Sequence, residues 1–505
     1  MRKIKRVIGY TLGIAMVLIA AIFLLNLHLT KRLERYLRKE LIHRTAEATD
    51  GFYRLSFDNL SISFFKGELT LEGIKLCPDS AVFRDWERKD SLPSVYVTAE
   101  VGMVDFKGLN LTWRRSYKQL HFDSFEIRNP DIQVFNPYYS TRAEVKERKE
   151  AEIKTLYEVV SPYINVLTVR ILNLENASVS YSVENPVSPI VYALNDVSFH
   201  AYGFRLDENS SESGKLLYCD NFDFITKRSQ TLLANNDFRL QTDRILLSTE
   251  DSIISISNIT LTPQGELWGE QKKRPDSYLN ALIRAIEVKG IQFRRENALN
   301  YLTARSLDII SSDIQAFNLA GESLPSAKKT EKKSLNEAEA DSLVRSLSLY
   351  ELISPVLHTV SIGTVGIGQA KLQYSFAVKD KIEVYKLANF DFQANDFRID
   401  SVSETQRGFW YSRGFSFEAT GIEGLMTARN HRFTVKRMTL DTESGDFNLE
   451  RIRLYPLSVC GQNDYMAGSI DTVGIRGLLY DKGISARLLK IDRPNLRYVL
   501  FSSFN

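Results

Sequence analysis

Cysteine is scarce: Cys77, Cys219 and Cys460 are the only three in 505 residues. They are far apart and form no CxxC pair. That excludes a zinc ribbon, a thioredoxin-type site and a disulfide framework, and leaves room for one bridge at most. Thiols scattered in this way read as small buried hydrophobes. The six histidines, His28, His43, His121, His200, His358 and His431, are too dispersed for a metal box, and there is no HExxH. A Walker A loop and a GxSxG elbow are both missing. Gly363 to Gly368 contains a GxG, but it lies in sequence with strand character. Charge of one sign is not in excess: 65 basic against 62 acidic residues give a net +3. Such a balance carries no electrostatic footprint for nucleic acid. With 26 glycines and 13 prolines the chain is neither collagen-like nor a flexible linker. The expectation is a protein that is not an enzyme, with no catalytic residue, no cofactor, no metal and no nucleic-acid partner.

Hydrophobic residues make up 44% and charged residues 25%, an ordinary globular balance. The length allows two to four domains or one repeat array, at about 100–200 residues each. Phe and Tyr, 28 and 23 in number, far outweigh the 4 Trp, which favours strands.

One long apolar run stands at the front. Val7 to Leu27 carries no charge. As a helix it spans about 32 Å, enough to cross a bilayer once. Arg2, Lys3, Lys5 and Arg6 precede it and no small-residue cleavage site follows the run, so it reads as an uncleaved signal anchor. Its flanks do not settle orientation. Lys31, Arg32, Arg35, Arg38, Lys39 and Arg44 follow the span, and counting alone slightly favours the reverse topology. Leu33, Tyr36, Leu37 and Leu41 have helical spacing. Two readings stand equal there: an amphipathic helix on the membrane surface, or a helix packed on the first soluble unit.

The chain repeats itself. Tyr157 to Pro263 aligns without a gap on Tyr350 to Pro456, and 28 of the 107 positions are identical. Phe204-Arg205-Leu206-Asp207, for example, returns as Phe397-Arg398-Ile399-Asp400. A truncated copy stands in front. Leu71 to Pro78 parallels Ile256 to Pro263 and Leu449 to Pro456, Val104 to Leu109 parallels Ile286 to Ile291 and Val473 to Leu478, and Asp131 to Asn136 parallels Asp313 to Asn318. Pro494 to Tyr498 is a looser third version of that last block. Such periodicity signals a repeat architecture. The segments 141–162 and 333–355 read as helices ended by Ser-Pro, and 321–333 as a flexible linker.

Inside each copy the dominant period is two. Val197, Phe199 and Ala201 alternate with polar residues, as do Phe390, Phe392 and Ala394, and Phe415, Phe417 and Ala419. Alternation means strands with one face buried and one wet, hence a mostly antiparallel sheet. Asp207 and Asp400 sit beside matching loops and read as turn formers. The paired aromatics Phe199, Phe222, Phe224, Phe392, Phe415 and Phe417 are candidates to line a long apolar groove. Packing in closed cores predicts the same alternation.

The phrase Ile62-Ser-Phe-Phe-Lys-Gly-Glu-Leu-Thr-Leu-Glu-Gly-Ile-Lys-Leu76, behind a single N-terminal span, resembles the AsmA-like family of envelope proteins. Phe125-Glu-Ile-Arg-Asn-Pro-Asp-Ile-Gln-Val134 is similar to a phrase that recurs in that group. The resemblance is clearest over residues 1–136 and rests on repeat architecture beyond. It implies an inner-membrane anchor, the bulk of the chain in the periplasm, and a β-rich groove that moves or organises membrane lipid. Compact length and charged inter-copy helices depart from a complete bridge between membranes. The expected fold is thus mainly β with a few helices: a transmembrane helix, then a repeated, mostly antiparallel sheet forming an elongated curled groove. The expected divisions are a cytoplasmic tip and anchor at 1–28, an amphipathic connecting helix at 29–51, and a partial first copy at 52–136. A helix and second copy follow at 137–318, then a linker, helix and third copy at 319–505. The alternative is a structural or adhesive scaffold of closed β-sandwich repeats.

Overall fold

The computed structural model describes residues 31–136, 164–318 and 357–499, with Tyr157 and Ser161. It leaves out 64–65, 90–91, 94, 115–116, 184–189, 211–214, 234–237, 264–276, 297–298, 379–380, 404–410, 459–464 and 481–483 within those ranges. The expected anchor at 7–27 and most of the expected helices at 141–162 and 333–355 lie outside the described residues. No described helix is long and apolar enough to cross a membrane. Two compact units meet in sequence at Ser229 and Gln230.

Unit one begins with a helix over 31–48, α1, and a second, α2 (Ser80–Arg88). Its strands are β1 (Tyr53–Ser56), β2 (Asn59–Ser63), β3 (Glu68–Pro78), β4 (Tyr96–Lys107), β5 (Asn110–Arg114), β6 (Tyr117–Asn136), β7 (Val166–Val183), β8 (Ile190–Leu206) and β9 (Asn221–Thr226). Both β1 and β2 pair with β3, then β3 with β4, and both β4 and β5 with β6. β6 pairs with β7 in parallel, and β7–β8–β9 returns to antiparallel.

α2 forms because the Asp79 carboxylate caps it, accepting from the Ala81 and Val82 amides at 2.9 and 3.3 Å. Its Phe83 and Trp86 pack on Phe52. α1 docks on the start of the sheet. Arg38 donates to the carbonyls of Phe57 and Asp58 at 2.9 and 3.1 Å and lies 4.5 Å over the Phe57 ring. These contacts place α1 against the segment that joins β1 and β2.

β10 (Arg228–Leu233) straddles the unit boundary. Unit two continues with β11 (Phe238–Thr242), β12 (Arg244–Ser248), β13 (Ile253–Pro263), β14 (Ser277–Lys289), β15 (Gln292–Glu296), β16 (Leu299–Asn318), β17 (Thr359–Val378), β18 (Lys381–Ile399) and β19 (Gly414–Met426). Then come β20 (His431–Asp441), β21 (Asp446–Pro456), β22 (Tyr465–Arg476), a small hairpin of β23 (Leu479–Tyr480) and β24 (Ile484–Ser485), β25 (Leu488–Asp492) and β26 (Asn495–Val499). β11 and β12 share β13, and β14 and β15 share β16. β16–β17 is again parallel, and β17 through β22 meander, with β25 and β26 both on β22.

The copies match to the level of single backbone residues. Left-handed backbone occurs at Gly73, Asn258 and Arg451 (φ 62°, 51° and 52°), at Asn129, Ser311 and Arg493 (51°, 52° and 49°), and at Asn176 and Gln369 (54° and 56°). It also occurs at Gly108, Gly290 and Gly477, with φ 66°, 68° and 64°. At Gly108 a Cβ would also come within 2.6 Å of the Cβ of Asp123, so glycine is needed there twice over. Isolated left-handed residues inside strands mark bulges, which shift side-chain parity. The apolar positions shift with them: Leu71 is followed by Ile74, Ile127 by Pro130 and Leu174 by Ala177. The same face therefore stays apolar on both sides of the bulge.

The turn expected at the two aspartates is present in both copies. Asp207 Oδ1 accepts from the Asn209 amide at 3.1 Å and from Ser210 Oγ at 3.0 Å, and Arg205 Nε donates to Oδ2 at 2.6 Å. Asp400 repeats this with Val402, Ser403 and Arg398 at 3.0, 2.7 and 2.6 Å.

Candidate functional site: an apolar face on each sheet

Register decides which side chains share a face, because directly opposite residues point the same way. In unit one, reading across β2, β3, β4, β6, β7, β8 and β9, one row runs Leu60, Leu71, Val104, Ile127, Leu174, Phe199, Phe224. The next row on that face runs Ile62, Leu69, Phe106, Phe125, Leu172, Ala201, Phe222. Neither contains a polar residue. The row between them on the opposite face is Ser61, Thr70, Asp105, Glu126, Asn173, His200, Asp223, with no apolar residue.

Unit two extends the pattern over eleven strands. From β12 to β25 the row is Ile245, Ile256, Ile286, Ile309, Ile367, Phe392, Phe417, Leu440, Phe447, Ile475, Leu489. Every member up to Ile475 is half-buried and Leu489 is 60% exposed, so this face is not sealed like a core. The adjacent row on the other face runs Ser255, Glu287, Asp308, Gly366, Gln393, Ser416, Asp441 and Asp446.

All six aromatics singled out from the sequence lie on these apolar faces. Phe199 is registered opposite Phe224, and its ring centroid is 5.4 Å from that of Phe222. Phe392 is registered opposite Phe417 and lies 5.8 Å from Phe415. Phe222 is buried at 7% exposure, while the other five are half-buried. The Ile, Leu and Val members of the rows escaped the sequence reading, because a row exists only once strand partners are known.

A tyrosine pair stands towards one end of each face, with Val183 and Phe376 beyond it. Tyr181 opposes Tyr192 in unit one, and Tyr374 opposes Tyr385 in unit two. Tyr192 and Tyr374 are exposed. Their signal was available, since both pairs are identities between the copies. A tyrosine offers an apolar ring and a wet hydroxyl, which suits the rim of an apolar surface. Burial is the largest influence on Tyr385 and raises its pKa, helped by the negative Glu383, to which its hydroxyl donates at 3.3 Å. Beyond Tyr385, Gly424 carries no side chain because a Cβ there would run into the Phe433 ring.

A hollow of about 840 Å³ in unit two is lined by residues of both kinds of row, among them Asp308, Gln393 and Glu418 together with Ile367, Phe392 and Phe417. A twisted sheet is saddle-shaped, so both faces hollow along different directions. Among the described residues no three His, Cys, Asp or Glu side chains converge on a metal-sized site. Cys219 is buried, as its composition class suggests, whereas Cys77 is exposed.

The arrangement offers long apolar chains a surface where they leave water, at roughly 25 cal/mol per Å² buried. No protein-family model matches this chain, and no characterised protein matches it.

Proposed function

We propose that this chain is a membrane-anchored lipid-handling protein of AsmA-like type, holding acyl chains against the apolar faces of its sheets in the periplasm. One observation carries the reading: the apolar rows are unbroken across seven strands in unit one and eleven in unit two, opposite rows that are polar. A surface of that kind has no use in a protein that binds only polar ligands, and outside Leu60, Ala201 and Phe222 its row members are not buried as a sealed core would be. The tyrosine rims support headgroups staying wet while chains lie on the Ile, Leu and Phe rows. Residues 7–27 supply the anchor in the cytoplasmic membrane, and transfer needs no covalent step.

The test is photo-crosslinking in cells from Phe224 and Phe417 on the apolar faces, with Gln393 on the polar face as control, followed by mass analysis of each adduct. Phospholipid adducts are expected at the two aromatic positions and not at Gln393. Equal labelling of both faces, or no lipid at either phenylalanine, overturns the proposal.

A further inference from the structure

Helix α1 has two sides of different chemistry. The side docked on unit one carries Leu33, Glu34, Leu37 and Arg38, all half-buried. Glu34 is engaged there with the Ile62 amide, and Arg38 with the Phe57 and Asp58 carbonyls. The other side carries Lys31, Arg32, Arg35, Tyr36 and Lys39, all exposed. Helical spacing puts its four cations within an arc of about 100°. Tyr36 stands at the margin of that arc and is 61% exposed.

The helix does not neutralise this charge itself. Its remaining acids, Glu40 and Glu47, both pair with Arg44, at 2.8 and 3.3 Å. Lys31, Arg32, Arg35 and Lys39 form no ion pair among the described residues, and Arg35 Nε donates only to the Lys31 carbonyl, at 3.3 Å. Residues 1–30 bring no acid to them either, since they contain no Asp or Glu. The uncharged run 7–27 ends four residues before Lys31. Four residues span at most about 14 Å. With 7–27 in the bilayer, as the proposed function has it, the first turn of α1 cannot stand farther than that from the hydrocarbon.

We propose that the outward side of α1 binds the headgroups of anionic phospholipid and so holds the β2 end of unit one at the membrane surface. The inference rests on the anchor in the proposed function and adds a second, polar lipid site to it. Lys and Arg feel an anionic surface over about a Debye length, roughly 8 Å at physiological salt. Arg forks onto phosphate oxygens, and a zwitterionic lipid has its phosphate already balanced by its own amine. A tyrosine suits the same depth, with its ring among the lipids and its hydroxyl in water. The apolar rows of unit one start on β2, at Leu60 and Ile62. Because Glu34 holds the Ile62 amide, the helix that grips headgroups also fixes the end of the rows that a lipid leaving the bilayer meets first.

The test uses the full-length protein with a photo-crosslinker in place of Tyr36, in vesicles of phosphatidylcholine alone or with a minor share of phosphatidylglycerol. Phospholipid adducts are expected at position 36, with phosphatidylglycerol enriched about threefold or more over its share of the vesicle. High salt should reduce the enrichment. The variant Arg32→Gln/Arg35→Gln/Lys39→Gln should return it to the vesicle share. Those side chains are exposed, so the thermal transition should stay unchanged. A wild-type adduct pool that matches the vesicle composition overturns the proposal, as does undiminished enrichment in the triple variant. Adducts to this chain's own peptides in place of lipid would show that another segment covers α1, and overturn it equally. Lipid adducts at Phe224 without enrichment at position 36 would leave the proposed function standing and remove this site. The anchor is read separately, by resistance to alkaline extraction from phosphatidylcholine vesicles. Extraction there sinks the anchor. The cations must then still recruit the chain to phosphatidylglycerol vesicles with adducts at position 36, and failure to do so overturns this inference.

Discussion

Ala177 opposes Val197, and Ala370 opposes Phe390, each as a lone registered pair between two breaks in the ladder at the same place in its copy. Both alanines are fully buried, at 0% and 1% exposure. A bulge bends its strand, and at each such break the buried side chain is a single methyl group. A leucine at either site should overpack it, at a cost of about 1–3 kcal/mol. Urea unfolding of Ala177→Leu and Ala370→Leu, each against wild type, measures this. A change below experimental error in both would show that the bend leaves spare room.

The Asp400 turn should make stability depend on acid. Burial pushes this carboxyl upward, but the Ser403 hydroxyl, Arg398, and the Ser403 and Val402 amides outweigh it and hold the pKa at about 2. A carboxyl depressed below its unfolded value of about 3.9 stabilises the fold fully above that value. The contribution is then lost as pH falls from there through about 2. Asp400→Asn should therefore be less stable than wild type at neutral pH, with the gap closing across that window. A gap that stays constant in pH titrations of the thermal midpoint would assign the loss to the hydrogen bonds alone.

Much of this architecture is legible in the amino-acid order alone. Alternation at Phe390, Phe392 and Ala394 marks a strand and a buried side, because side chains alternate whatever the partner is. The gapless match of Tyr157–Pro263 to Tyr350–Pro456 implies common register, since a bulge such as Asn176 must be matched by one at Gln369 to keep both faces apolar. The parallel pairs β6–β7 and β16–β17 leave no such trace: alternation reports a face, not the direction of the neighbour. The row from Ile245 to Leu489 is hidden for the same reason, its members lying in eleven strands whose partners only the fold supplies. Helix α2 escapes as well, though Asp79, two and three residues before the amides it caps, is a sign of it.

The two described thiols should differ sharply in reactivity. Burial, with the negative charge of Asp220 beside it, pushes the Cys219 thiol up to about 11, and its Sγ lies 3.2 Å from the Leu217 carbonyl. Thiolate is the reactive form. In a Cys460→Ser background, iodoacetamide at about pH 8 should label the exposed Cys77 and spare Cys219 until the chain is denatured. Peptide mass mapping reads both sites in one experiment, and equal native labelling would show that the pocket around Cys219 opens.

The N-terminal edge of unit one should depend on α1. The Ile62 amide of β2 donates to Glu34 Oε1 at 3.2 Å, and Arg38 holds the Phe57 and Asp58 carbonyls beside it. Edge strands are sites of unwanted pairing, and a covering helix is one of the ways proteins block them. Removing the two side chains that make these three contacts should uncover β2 without substituting any residue of the apolar rows. Glu34→Ala/Arg38→Ala is expected to lose about 1–3 kcal/mol of local protection, because hydrogen bonds to charged groups are worth roughly that much each way. Hydrogen exchange at the Ile62 amide should then accelerate by about tenfold or more. Sedimentation should show association that rises more steeply with protein concentration than in wild type. The single variant Arg38→Lys separates the two causes. A lysine keeps the charge but cannot span both carbonyls, so edge protection should fall while net charge is unchanged. Wild-type exchange at Ile62 in the double variant would mean that these contacts do not close the edge.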